Sequence, residues 1–150
     1  MSYESGKVRE YSMRKELQRI MDYFSQRLEV RTLFLFGTFD TPFEREDSDI
    51  DIAVVVNPAI TKDALESLKK EYYAASTGFS LKCTDIVILN SAPAPIKHRV
   101  LKTGRLIIDR DPEYRKHFTA SAIQEYFDYN FIEDIYFDKM GKRLRRAAGG

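Results

Sequence analysis

The sequence predicts an α/β fold built around a small mixed sheet. Short apolar runs that stop at glycine or at Asn-Pro alternate with stretches whose apolar residues recur every three or four positions. The breaks fall at Gly37, Asn57-Pro58, Gly78 and Gly104, spaced for a single α/β unit. From Pro112 onward the strand-like runs cease, which predicts a helical C-terminal extension.

Each element has its own signal. Residues 8–28 read as a helix, with Met13, Leu17, Ile20, Met21, Phe24 and Leu28 on one face. Arg31 to Phe36 reads as a strand, because Leu33-Phe34-Leu35-Phe36 is a continuous apolar run ending at Gly37. Phe39 to Ser48 is a polar loop around Pro42 with room for a short helical turn. Asp49 to Val56 is the second strand. Thr61 caps a helix running to Ser76, with Asp63 in its first turn and Gly78 beyond its end. Lys82 to Leu89 is the third strand, Pro93 to Thr103 a helix closed by Gly104, and Arg105 to Asp109 the fourth strand. Pro112 opens one or two long helices to about Arg146. All 150 residues are expected in one domain, with a core over 8–110 and the extension over 112–146.

Bulk properties exclude several classes. A net charge of +1 predicts no broad nucleic-acid affinity. No apolar run approaches the roughly 20 residues of a spanning helix. The single Cys83 cannot form an internal disulfide, which fits a reducing cytoplasm, and it reads as an inert, partly buried thiol ahead of its strand.

The chemistry concentrates in three carboxylates. Alternate side chains of a strand share a face, so Asp49 and Asp51 lie together while Ile50, Ile52, Val54 and Val56 fill the other side. Asp85 occupies the start of another apolar strand. If the two strands are neighbours, three acids meet, repel one another and raise at least one pKa. Hard divalent cations with oxygen ligands relieve that conflict, and Mg²⁺ suits a few carboxylates plus substrate phosphates. Gly37, directly after a strand, permits a sharp turn with backbone N–H groups open to a phosphate, and Thr38 adds a hydroxyl.

Gly37-Thr38, ten residues, then Asp49-Ile50-Asp51 resembles the Gly-Ser-x10-Asp-x-Asp signature of minimal nucleotidyltransferases of the polymerase β superfamily. The resemblance extends through Asp85-Ile86-Val87 and Val100 to Ile107, and so spans roughly residues 10–110. It implies a small mixed sheet with helices on one face and the acids on the other. It implies transfer of a nucleoside monophosphate, AMP from ATP, to a hydroxyl with release of pyrophosphate. By that resemblance Asp49 and Asp51 bridge two Mg²⁺ ions, Asp85 helps bind one and activates the acceptor, and Gly37 and Thr38 hold the β and γ phosphates. Such proteins are often antitoxins paired with a HEPN ribonuclease, which suggests a tyrosine of that toxin as acceptor.

The chain departs from this pattern at the turn. Thr38 stands where Ser is usual, and Pro42 where a second glycine is usual. The loop carries Asp40, Glu44, Glu46 and Asp47 against one cation, Arg45, which could grip a phosphate in a fork geometry. Acids beside a triphosphate weaken its binding. The alternative reading is therefore a catalytically weakened relative that neutralises its partner by occlusion. Transfer to a small molecule is disfavoured, because so short a chain leaves little room for an acceptor domain.

The segment 123–140 holds Tyr126, Phe127, Tyr129, Phe131, Tyr136 and Phe137 around much of a helix. That pattern fits a protein partner or self-association surface, or else core packing. His98 and His117 have no nucleophile beside them in sequence, and the spacing from Arg110 to His117 resembles a HEPN element only by chance. Lys142-Arg143-Leu144-Arg145-Arg146 reads as a solvated helix end.

Overall fold

A computed structural model describes residues 14–149. Its elements are α1 (Lys15–Ser25), β1 (Val30–Phe36), β2 (Ile50–Val56), α2 (Lys62–Ser76), β3 (Thr84–Ile88), α3 (Ala94–Thr103), β4 (Arg105–Asp109) and α4 (Pro112–Gly149), with a 3₁₀ turn over Leu89–Ser91. The mixed sheet has the order β3-β2-β1-β4. β1 is antiparallel to β2 and β4, and β2 runs parallel to β3.

Strand alternation sorts the core into two layers. Leu33, Leu35, Ile50, Ile52, Val54, Val56, Ile86 and Ile88 face α1 and α2, where Leu17, Ile20, Phe24, Leu65 and Tyr72 close over them. Phe34, Phe36, Ala53 and Val55 face the other way, toward Leu89, Val100, Tyr114 and Phe118. The mixed sheet and the helical extension are as the sequence predicts. In addition, α3 and the first turns of α4 cover the acid-bearing face, so the carboxylates lie at the rim of a packed layer.

Several boundaries differ from expectation. Residues 8–13 of the predicted first helix lie outside the described residues. At its other end the helix stops at Ser25, and Leu28 is 91% exposed instead of on the apolar face. Arg110 satisfies acceptors at that stop: its guanidinium donates to the carbonyls of Ser25 and Arg27 at the helix end and of Val30 at the start of β1. Cys83 is exposed, not partly buried, because it precedes an edge strand; its carbonyl accepts from the Ile50 amide at 2.8 Å. The α2 cap is as predicted, with Thr61 Oγ1 accepting from the Ala64 N–H at 3.3 Å.

The extension is one helix of 38 residues, and Ala122 is its only fully buried residue. His98 stacks on Tyr126 at 3.8 Å and Lys97 pairs with Glu125, which fastens the helix to α3 as far as that point. Beyond it the aromatics do not enter the core: Phe127, Phe131, Ile132, Tyr136 and Phe137 are each 58–67% exposed.

Candidate functional site

Asp51 is the centre of the site. It lies in register with Phe36 on β1 and with Asp85 on β3. Partners in a parallel pair point to the same face, so Asp85 shares the face of Asp51, and Asp49 precedes it by two residues. Asp51 is half-buried while Asp49 and Asp85 are exposed. Burial pushes the Asp51 carboxyl up from its ordinary value, and the charges of Asp85 and Asp49 push it further; Arg99 opposes them. Arg99, on α3, is exposed and lies 5.6 Å over the Phe36 ring. It is the cation that borders the acids.

Gly37 completes the corner. Its φ of +74° lies in the left-handed region, and a Cβ there would collide with Oδ2 of Asp51. The glycine thus supplies a turn that L side chains avoid and vacates the space the carboxylate occupies. The Thr38 hydroxyl donates to Ser48 Oγ at 3.0 Å, and Ser48 Oγ also accepts from the Arg45 N–H at 2.8 Å. Thr38 is exposed, and its side chain ties the two ends of the loop together.

The loop is a chain of tight turns without a helix. Thr41 N–H donates to Thr38 O, Glu44 N–H to Thr41 O and Ser48 N–H to Arg45 O. Asp40 at φ +57° and Pro42 break any helical path, so the expected helical turn with its positive end toward a phosphate is not formed. The acids of the loop are also less free than their sequence suggests. Asp40 pairs with Arg14 and Arg105, and Glu44 pairs with Arg14 at 2.6 Å, which holds its carboxyl below the usual range although burial works against this. Arg14 also lies 4.4 Å over the Phe39 ring. Arg105 donates to the carbonyls of Phe39 and Asp40, and Lys82 Nζ donates to those of Arg45, Glu46 and Ser48. Of the loop's acids only Glu46 and Asp47 remain open; the exposed Arg45 precedes them and lines, with Thr38, Pro42, Asp47 and Ser48, an open recess of about 660 Å³.

Tyr73 is a site residue that sequence reasoning missed. From α2 its phenol reaches the free edge of β3, donates to Asp85 Oδ1 at 2.8 Å and accepts from the Ile86 N–H at 3.2 Å. Its phase gives no hint of this, since its neighbour Tyr72 takes the buried position of the helix.

In kind, the three acids fit a hard divalent cation. They offer oxygen donors only, from one face, with a mutual repulsion that a cation relieves. Among the described residues no three acidic, histidine or cysteine side chains converge tightly enough to hold an ion as they lie. The recess beside Pro58, Lys62, Asn90 and Phe118 contains none of these acids. No described helix is long and apolar enough to cross a membrane.

A family model described as "Polymerase beta, Nucleotidyltransferase" matches residues 18–113, more than half of the chain. No curated protein matches significantly. Solved structures share the fold. A toxin–antitoxin with AMP-PNP is 20% identical, with 83% of this chain and 97% of that chain covered and a TM-score of 0.64. The toxin–antitoxin MntA–HepT is 20% identical over 83% and 96%, with a TM-score of 0.60. A tri-AMPylated Shewanella oneidensis HEPN toxin in complex with an MNT antitoxin is 20% identical over 83% and 95%, also at 0.60.

Proposed function

The chain belongs to the polymerase β nucleotidyltransferase family, and on that premise we propose that it transfers AMP from ATP to a hydroxyl on a protein partner, a HEPN-type toxin. The observation that carries this reading is the corner where Gly37 makes room for Asp51 while Asp51 and Asp85 sit in register on one face.

In this reading Asp49 and Asp51 would hold two Mg²⁺ ions, and Asp85 would be a further ligand. The ions would supply charge neutralisation for attacking and leaving oxygens. Gly37 presents its backbone to the β and γ phosphates, the Thr38 hydroxyl turns its proton from Ser48 to that grip, and Arg45 closes on the outer phosphates from the recess. Asp85 accepts the proton of the acceptor hydroxyl. The new bond joins that oxygen to the α-phosphorus, the bond to the pyrophosphate oxygen breaks, and pyrophosphate departs. The neutralisation of Asp40 and Glu44 supports the reading, because it removes two of the four loop charges that would repel a triphosphate.

The exposed aromatics of α4 support a protein acceptor. Tyr129, Ile132, Tyr136 and Phe137 frame an open recess of about 400 Å³ far along the helix. A large apolar patch of this kind marks a protein-binding surface. The AMP-PNP bound in one structural relative and the AMPylated toxin held by another point to the same chemistry.

A second reading is neutralisation by occlusion. It is favoured by the loop of turns, which offers a phosphate no helix N-terminus. The test uses labelled ATP, Mg²⁺ and the candidate toxin. Transfer that disappears in Asp49→Asn and Asp51→Asn supports the enzyme. Unaltered toxin by mass spectrometry, in a complex that survives loss of all three acids, selects occlusion.

A further inference from the structure

Asp85 faces a difficulty that its position creates. It stands directly opposite Asp51 in a parallel pair, and like charges facing across strands repel. It is also exposed, on the outermost strand of the sheet. A short carboxylate in that place would turn toward water and sample several rotamers. One contact prevents this: the phenol of Tyr73 donates to its Oδ1 at 2.8 Å.

The phenol is fixed independently of Asp85. It accepts from the Ile86 N–H, an amide on the free edge of β3 with no strand beyond it. The next residue back, Tyr72, is fully buried beneath the sheet and donates to Glu29 Oε1 at 2.9 Å, which locks this turn of α2 in place. The tyrosine pair thus anchors one ring in the core and leaves the other to reach round the edge. Among the described residues Oδ2 of Asp85 makes no hydrogen bond, so one oxygen is held and the other is available.

Resting on the nucleotidyltransferase reading above, we propose that Tyr73 is a positioning residue: it orients Asp85 so that a single carboxylate oxygen is presented to a divalent ion and to the acceptor hydroxyl. Carboxylates that ligate metals depend on such outer hydrogen bonds, and losing one costs about 10–100-fold in affinity. The phenol also covers part of an open sheet edge, so one side chain serves both the fold and the site.

The experiment titrates Mn²⁺ into the full chain by calorimetry, with and without a non-hydrolysable ATP analogue, and records thermal melting of each variant. Tyr73→Phe removes only the hydroxyl. It should weaken Mn²⁺ binding about tenfold, the lower end of the outer-shell range, and leave the melting temperature within a few degrees. Asp85→Asn should weaken binding at least as much, and adding Tyr73→Phe to Asp85→Asn should weaken it no further. A merely structural tyrosine would shift melting and leave the two affinity losses additive. Affinity unchanged or tightened in Tyr73→Phe, or additive losses in the double variant, overturns the inference. If Asp51→Asn abolishes Mn²⁺ binding while Tyr73→Phe does not change it, only the role of Tyr73 falls. If the unaltered chain binds no Mn²⁺ with or without nucleotide, the nucleotidyltransferase reading falls with it.

Discussion

Gly37→Ala isolates the contact at the heart of the site. Two costs follow from the structure. An L residue in the left-handed region costs about 1–2 kcal/mol. The new Cβ also meets Asp51 Oδ2, the movable end of a side chain, and forcing that side chain off its rotamer costs about 0.5–1.5 kcal/mol. The sum, about 1.5–3.5 kcal/mol, lowers the melting temperature of a chain this size by about 3–14 °C without unfolding it. Function should suffer more than stability. The carboxylate that must move is the central one, and displacing it should cost at least the roughly tenfold in divalent-ion affinity that losing an outer-shell contact costs. Calorimetric titration with Mn²⁺ and a thermal melt, on the same preparation, separate the two effects. Two controls sharpen the result. Gly37→Asn tolerates the backbone better, so it should recover stability without recovering affinity. In an Asp51→Ala background Gly37→Ala should lose the collision cost and retain only the backbone cost. Wild-type Mn²⁺ affinity in Gly37→Ala would refute the reasoning, as would equal stability costs in the two backgrounds.

Other outcomes are as direct. Asp51→Asn should melt higher than wild type at pH 7 without metal. A carboxyl raised in the folded state is a stability penalty that grows as pH rises through its folded value, so the gap should close as pH falls toward the ordinary 3.8. Arg105→Ala removes two carbonyl bonds and one of the two partners of Asp40, so residues 38–48 should exchange amide hydrogens faster and ATP-analogue affinity should fall; unchanged exchange would refute this. A chain stopped after Phe127 keeps Tyr114, Phe118, Ala122 and the His98–Tyr126 stack, so it should melt within a few degrees of the full chain yet fail to bind the proposed toxin partner in gel filtration.

The strands and the Asp51–Asp85 pairing were legible because two-residue periodicity leaves little freedom: once Ile50, Ile52, Ile86 and Ile88 face one core, the acids must face the other way. The turn was legible through Gly37, the only residue type that fits both its backbone and its neighbour. The behaviour of the loop was not. Its charges are settled by Arg14, Lys82 and Arg105, and Arg105 reaches Asp40 across 65 positions of sequence. No local pattern encodes such a pairing. Tyr73 was hidden for a different reason: adjacent tyrosines on a helix look alike in sequence, and only the sheet edge decides which one reaches the acid. The last helix gave a true but incomplete signal. Apolar residues all round meant no single buried face, and the structure shows why, since almost nothing packs on it beyond Ala122.

From Phe127 to Gly149 this helix projects as an arm about 35 Å long at its ordinary rise per residue. A toxin clasped along such an outrigger would meet the acids as a leashed reactant, at an effective concentration set by the length of the arm and not by its abundance in the cell. Grip and chemistry would then be tuned by separate stretches of chain: residues far out along the arm would choose who is modified, and those at the sheet rim would decide how fast.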